Sequence, residues 1–457
     1  MTKLNIPHPD DWPSKALSKQ CEFISRGYAP SYVDQSNVLA IGQRCVQLRG
    51  FDASSARPHD ANRMDLVLIA KPHDVLLNST GTGTIGRSCV FEENRLFVVD
   101  GHVTVLRLND DAEGTDSSWL NFLIQSPCFQ RHLELHCYTG STNQIELSRS
   151  QLEFTEIWLP KPKEQRAISA ILEAVESAIH YTEQLIAKLK QVRAGLLHDL
   201  LTFGIDYNGE LRNPERHSEQ FKMSELGTIP SKWDISSLAL KKGENRPHIK
   251  TGPFGSTLKG EHWVNEGVPV VTIGSLGEGS FIHSELLFIT EQKAQSLAPY
   301  CLEPGDLVFS RVADVGRSVV VSEQEAGWIM SSNLMRLALD SSKVLPIYLY
   351  LNLAFNHKTR QQIRKYVNAG GREVANTPIL DSLKFAWPPL DEQFRIVQMA
   401  QSHSSTMDSQ EEYLAKLYLL KQSLVDSLFT GAIRVTSLLG DANKVEDGNE
   451  AKTHRIE

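Results

Sequence analysis

The second half of this chain repeats the first, and that constrains the fold more than any other feature. A proline-rich strand end runs into a long helical stretch twice, at Trp158-Leu-Pro-Lys-Pro-Lys-Glu-Gln165 and at Trp387-Pro-Pro-Leu-Asp-Glu-Gln393. Gln393 lies 228 residues after Gln165, and the same offset carries Leu200-Leu201-Thr202 onto Leu428-Phe429-Thr430, so the two stretches match without a gap. Upstream, Asp74-Val-Leu-Leu77 answers Asp306-Leu-Val-Phe309, and Gly86-Arg87-Ser88 answers Gly316-Arg317-Ser318. Two globular units, each followed by a long helix, present two similar surfaces a fixed distance apart. Such a design suits an extended ligand better than one buried catalytic pocket.

At 457 residues the chain exceeds what one core usually supports, and its 41% of apolar residues are ample for two. Mean hydropathy is -0.27, no run reaches bilayer-spanning length, and the first ten residues lack the apolar stretch of a signal peptide. Of six cysteines, five (Cys21, Cys45, Cys89, Cys128, Cys137) fall in the first half and only Cys301 in the second. A disulfide framework would be shared by both copies, so free thiols in a reducing cytoplasm are expected. The net charge of -8 sits awkwardly with nucleic-acid binding. That total averages over the chain, however, so it can hide local basic patches and does not exclude a reader of bases whose partners supply the phosphate contacts.

Residues 10 to 157 read as short strands and turns with some helix. Val67–Ala70, Val75–Leu77, Leu96–Val99 and Val103–Leu106 have strand composition, and a helix is expected from Ser117 to Cys137. In the second unit Val268–Ile273, Leu307–Phe309 and Val319–Val321 read as strands and Pro346 to Val367 as helix. The long helices carry heptad-like stripes. One runs through Ile168, Ile171, Val175, Ala178, Leu185, Leu189, Val192 and Leu196, with Thr182 the polar exception. The other runs through Ile396, Met399, Tyr413, Leu417, Leu420 and Leu424, broken by His403, Thr406 and Gln410. Pro162 and Pro389 suit helix starts, Gly204 and Gly431 left-handed caps. Each helix would span about 57 Å. An antiparallel pair related by a pseudo-two-fold is the expected arrangement; separate docking of each helix on its own unit is the blander one. The expected class is α+β. The expected division is 1–158 and 225–387 as globular domains, 159–204 and 388–433 as helical spacers, 205–224 as linker and 434–457 as polar tail.

With these features in place, the chain resembles the specificity subunit of a type I restriction-modification system. The resemblance runs from about Trp12 to Ile433. It rests on Pro160-Lys-Pro-Lys-Glu-Gln165 through Thr202, Pro388-Pro-Leu-Asp-Glu-Gln393 through Gly431, Gly252-Pro-Phe-Gly-Ser256, and the two Gly-Arg-Ser motifs. The first copy departs in ending its helix Thr202-Phe203-Gly204, and no counterpart of the Gly-Pro-Phe-Gly-Ser loop is evident beyond the neighbourhood of Gly27-Tyr28-Ala-Pro30. The resemblance implies a non-catalytic reader of double-stranded DNA with two target-recognition domains, each reading half of a bipartite, asymmetric site. The helices would fix the spacer, about one and a half turns of B-DNA at ~34–36 Å per turn. It further implies a cytoplasmic, multisubunit complex. Two methyltransferase subunits would methylate flipped-out adenines with S-adenosylmethionine, beside ATP-driven restriction and translocase subunits, and this chain itself would need no cofactor and no membrane.

Loops rich in Gly, Ser, Thr, Asn and Arg are the candidates for touching DNA, since small residues admit close approach and polar ones bond base edges or phosphates. In the first unit these are Asn78, Ser79, Thr80, Thr84 and Arg87, with Ser141, Thr142 and Asn143 after Gly140. In the second they are Ser256, Lys259, Arg311 and Arg317, with Asn368 and Arg372 around Gly370. The blander reading is of ordinary turns, with Arg87 and Arg317 packed behind them. Arg372→Ala should relax recognition of one half-site only.

Gly81-Thr-Gly-Thr-Ile-Gly86-Arg87-Ser88 is nearly a phosphate-binding loop, but Arg stands where the pattern needs Lys, and turn and strand are expected where a helix should open. Cys128, His132, His136 and Cys137 invite a metal reading, although only the histidines share helical spacing. Trp387-Pro-Pro-Leu390 lacks the amide and aromatic that adenine methyltransferases place around their prolines, and no motor or hydrolase set is visible. The alternative from another class is a two-domain protein-binding scaffold with a coiled-coil spacer. The target sequence and the spacer length are not legible in the residues.

Overall fold

The computed structural model describes residues 2–65, 67–109, 114–141, 144–243, 246–369 and 374–435. The chain divides into two compact units, Met1–Gln184 with Glu412–Glu457, and Leu185–Glu411. Each unit therefore holds a globular part, half of one long helix and half of the other.

The globular parts share one topology. In the first, a four-stranded antiparallel sheet runs Cys21–Arg26, Val103–Leu108, Val75–Asn78, Ser88–Val90. In the second the same order is Ile249–Thr251, Leu334–Leu337, Leu307–Ser310, Ser318–Val320. A three-stranded sheet accompanies each. Leu39–Ile41 lies between parallel Phe97–Val99 and antiparallel Arg57–Pro58, and Val268–Val271 lies between parallel Ile329–Met330 and antiparallel Leu287–Ile289. The strands after Asp74 and Asp306 are buried on both faces, and their alternation serves two cores. Val75 and Leu77 enter the core under the helices while Leu76 faces the smaller sheet. Leu307 and Phe309 do the first job in the second unit and Val308 the other. The α+β class and the internal repeat follow from these matched sheets.

Three local readings are corrected. Val67–Ala70 forms no strand among its described residues, only an isolated bridge from Ile69 to Val98. The helix expected over 117–137 breaks at Ser126, whose extended backbone and hydroxyl cap a second helix with Pro127 in its first turn. Likewise Pro346–Phe355 and His357–Ala369 are separate, because Asn356 leaves the helical region and its Oδ1 accepts from Lys358 N at 3.0 Å.

The long helices run Pro162–Thr202 and Leu390–Phe429, and Gly204 and Gly431 follow them at φ 68° and 65°. They pair antiparallel. In the first unit Glu176 holds Lys421 and Glu183 holds Tyr418 and Arg49; in the second Lys190 meets Glu411 at 2.9 Å. The buried seam is not the expected stripe. Ile168, Leu172, Ile179, Thr182 and Ile186 are buried, whereas Leu185 and Val192 are exposed at 45% and 47%. One set of heptad positions was placed right and the other lies one residue on, because apolar residues sit side by side at 171–172, 178–179 and 185–186. In the second helix Ala400, Met407 and Leu417 are buried, while Tyr413 and Leu420 face out.

The first described residues past each long helix pack back onto a helix start. Glu164 is buried at the first helix start, accepting from Trp12 Nε1 at 3.3 Å and from Arg434 Nε at 2.7 Å. Glu392, at the matching place in the second unit, accepts from Trp233 Nε1 at 3.1 Å and from Arg212 Nη2 at 3.1 Å. Beside them Gln165 accepts from Asp116 N at 2.8 Å and Gln393 from Leu345 N at 2.9 Å, and each side-chain amide donates back to Pro160 or Pro388. Arg212 and buried Ile205 fall in the stretch expected as linker, and Arg434 and buried Val435 open the stretch expected as tail. A buried carboxylate needs a cation, and in both units that cation comes from the chain just past a long helix.

Candidate nucleic-acid interface

The loops singled out in the sequence are assembled the same way in both units. In the first, Asn78 N donates to Arg87 O and Gly86 N to Asn78 O, closing the loop between two strands. Ser79 N donates to His102 O at 2.9 Å, tying this loop to the next, and Leu147 N donates to Ser79 O at 2.8 Å. In the second unit Ser310 N donates to Arg317 O, Gly316 N to Ser310 O, Arg311 N to Asn333 O at 3.2 Å, and Ala375 N to Arg311 O at 2.8 Å. Gly86 and Gly316 take φ of 84° and 106°, which is why Gly recurs there.

The missing counterpart of the Gly252 loop is Gly27. Gly27 N donates to Val103 O and Gly252 N to Leu334 O. A Cβ would lie 1.9 Å from Val99 O in one and 1.8 Å from Ser331 O in the other, so both positions admit only glycine without backbone movement. Beyond Gly27 and Gly252 the loops diverge: Tyr28 is 53% exposed, and Phe254 at the tip of the second loop is 85% exposed.

On this shared frame the side chains differ. In the first unit Gln43 donates to Thr80 Oγ1, Thr84 Oγ1 donates to Gln43 Oε1 at 3.2 Å, and Thr80 Oγ1 bonds His102 Nδ1 at 2.8 Å. Arg87 Nη2 donates to Gly83 O at 2.8 Å, and Ser141 is exposed. Nearby, Tyr32 donates to Asp100 at 2.9 Å with Arg57 stacked 3.7 Å over its ring; burial, then that bond, push the phenol up to about 12. In the second unit Arg317 pairs with Asp314 at 2.9 Å and donates to Leu276 O at 3.2 Å, while Ser256 and Lys259 are exposed. Arg311 is half-buried, with its Nε unpartnered among the described residues.

Two expected contacts are corrected. Asn78 and Ser79 are fully buried: Asn78 Nδ2 donates to Gln43 O at 3.1 Å, and Ser79 Oγ bonds Thr104 Oγ1 at 2.5 Å. They hold the loop from within. Asn368 lies in the last turn of the helix His357–Ala369, and Thr142, Asn143 and Arg372 lie outside the described residues. Gln43 and His102 were missed, since neither belongs to a repeated motif and both reach the loop only through the fold.

The near phosphate-binding loop leads from Gly86 into the strand Ser88–Val90 and opens no helix, so it lacks the helix N-terminus that such a site uses. His132 bonds Thr155 Oγ1 at 3.2 Å, with its pKa lowered to about 4 by burial and then by His136. Cys128 contacts Ser126 Oγ, and among the described residues no three His, Cys, Asp or Glu are grouped so that they could hold a metal ion. All six cysteines are free thiols. Among the described residues no helix is long and apolar enough to cross a membrane.

The type I restriction modification DNA specificity domain matches this chain twice, over residues 58–191 and 221–418. The chain belongs to that family. The two matches coincide with the two copies of the repeat, and a specificity subunit supplies DNA recognition and no catalysis of its own. A type I restriction enzyme MjaVIII specificity subunit of Methanocaldococcus jannaschii is 22% identical over 308 residues, 66% of this chain and 68% of that protein. The fold is like that of the S subunit of a type I restriction-modification system from M. genitalium, at TM-score 0.53 and 15% identity, covering 94% of this chain and 99% of that one. It is also like a chain solved in a study of complex assembly and conformational transition of the type I system. There the TM-score is 0.55 and identity 16%, over 93% and 99% of the two chains.

Proposed function

We propose that this specificity subunit reads a bipartite, asymmetric DNA site, one half with each unit, and directs adenine methylation and restriction by partner subunits in the cytoplasm. The helix pair would set the spacing of the half-sites and dock two methyltransferase subunits, with restriction and translocase subunits joining them. The observation that carries this is the pairing of one loop frame with two unlike sets of side chains, since a shared frame presents a surface and its side chains decide what is read. Thr80, Thr84, Arg87 and Ser141 are the proposed contacts of the first unit, with Ser256, Lys259, Arg311 and Arg317 those of the second. Gln43 and His102 are added because they organise Thr80. Thr142, Asn143, Asn368 and Arg372 are proposed contacts as well.

Selection from a randomised duplex pool by the full chain, purified with the subunits that accompany it, tests the reading. Two short conserved blocks at a fixed separation are expected. A pool that emerges without enrichment would favour the protein-binding scaffold.

A further inference from the structure

A chain of net charge -8 that holds DNA must concentrate its grip somewhere. In the second unit the helix His357–Ala369, sequence HKTRQQIRKYVNA, carries four Lys or Arg and no Asp or Glu. Two of these cations are committed within the protein: Lys358 Nζ donates to Leu226 O, and Arg360 Nη1 to Ala354 O at 3.0 Å. Arg364 and Lys365 are exposed and have no carboxylate partner among the described residues. Some cations elsewhere do find one. On the long helices exposed Lys190 holds Glu411 at 2.9 Å and exposed Lys416 holds Glu412 at 2.7 Å, while half-buried Arg395 holds Asp391 at 2.9 Å.

The same helix is built into the back of the recognition loop. A Cβ on Gly316 would lie 3.6 Å from Ile363 Cδ1, so the residue immediately before Arg364 packs behind the Gly316-Arg317 turn. Past the helix the chain returns to the loop, where Ala375 N bonds Arg311 O. The first unit does this without the charge. Gln130 sits behind Gly86, donating to its carbonyl at 2.9 Å, and the exposed residues that follow include both Arg131 and Glu134.

Building on the DNA-reading function above, we propose that Arg364 and Lys365 hold the sugar-phosphate backbone beside the half-site read by the second unit. That unit then anchors the duplex electrostatically while the first contributes mainly base readout. Backbone contacts of this kind fix register and carry no sequence information.

The test is the double variant Arg364→Gln, Lys365→Gln in the full chain, purified with its accompanying subunits. Gln keeps helix propensity at these exposed positions, so folding is spared. Binding to a mixed-sequence duplex is measured across a KCl series, and site preference by pool selection. The expected result is a log affinity against log salt slope shallower by roughly two, about 0.9 per lost phosphate contact, with preference unchanged. An unchanged slope beside normal wild-type binding would overturn the anchor and leave the DNA reading standing. A changed sequence preference would also overturn it, by making these residues base readers. Wild-type assembly that binds no duplex selectively would instead sink the DNA reading, and the anchor with it.

Discussion

The bracket at the helix starts and the loop faces of the two units obey different rules. In the brackets Glu164 and Glu392, Gln165 and Gln393, Trp12 and Trp233, and Arg434 and Arg212 meet the same kinds of atoms at similar distances. On the loop faces only the backbone bonds repeat. A Thr80–Gln43–His102 network in one unit stands where the other has Arg311, Arg317 and Asp314. Repetition is strict where a buried charge must be satisfied and relaxed where side chains face outward. That division is expected of a protein whose two copies must fold alike and recognise different things.

The sharpest way to break the comparison is at the bracket. Glu392→Ala takes the carboxylate from Arg212, whose side chain is only 11% exposed, leaving it the Phe203 carbonyl alone, and should cost about 3–5 kcal/mol, read as a lower midpoint in urea. Glu164→Ala should cost less, about 2–3 kcal/mol, because Arg434 is 30% exposed and keeps Asp11 at 2.8 Å. Equal losses would show that burial does not set the difference. The shared frame predicts equality elsewhere: Gly27→Ala and Gly252→Ala each force a Cβ onto a backbone carbonyl and should each cost about 1–3 kcal/mol.

A smaller, pH-dependent difference concerns His132 of the first unit. Its folded pKa of about 4 lies below the ordinary histidine value of 6.5, so the unfolded chain binds the proton first as pH falls. Stability from this group is full above about 6.5 and drains between there and about 4. His132→Gln should flatten that limb of the pH–stability curve, and a curve of unchanged slope would remove His132 from the account. Smallest in stability but decisive for readout, Arg87→Ala and Arg317→Ala should leave the melting temperature within about a degree while each alters preference in a different half-site. Changes in the same half would contradict one unit per half.

The repeat, the helices, their caps and the Gly-Arg-Ser turns were legible because each is a local pattern carried twice. The seam phase was not, since paired apolar residues at 171–172 and 178–179 let two registers compete until the partner helix chose. Arg212 and Arg434 escaped notice because lone arginines beyond a helix look like solvated tail. Asn78 and Ser79 looked like ligands by composition, yet their place at a buried strand end turned them inward. Gln43 reaches Thr80 across 37 residues of sequence, a contact no local pattern announces.

The central claim is tested most directly by methylation sequencing of DNA from cells carrying this chain with its partner methyltransferase, alongside cells lacking the chain and cells bearing Arg317→Ala. The account predicts a two-part adenine-methylation motif that vanishes without the chain and changes in only one part in the variant. A methylome that stays the same when the chain is removed, with the partner demonstrably active, would contradict it.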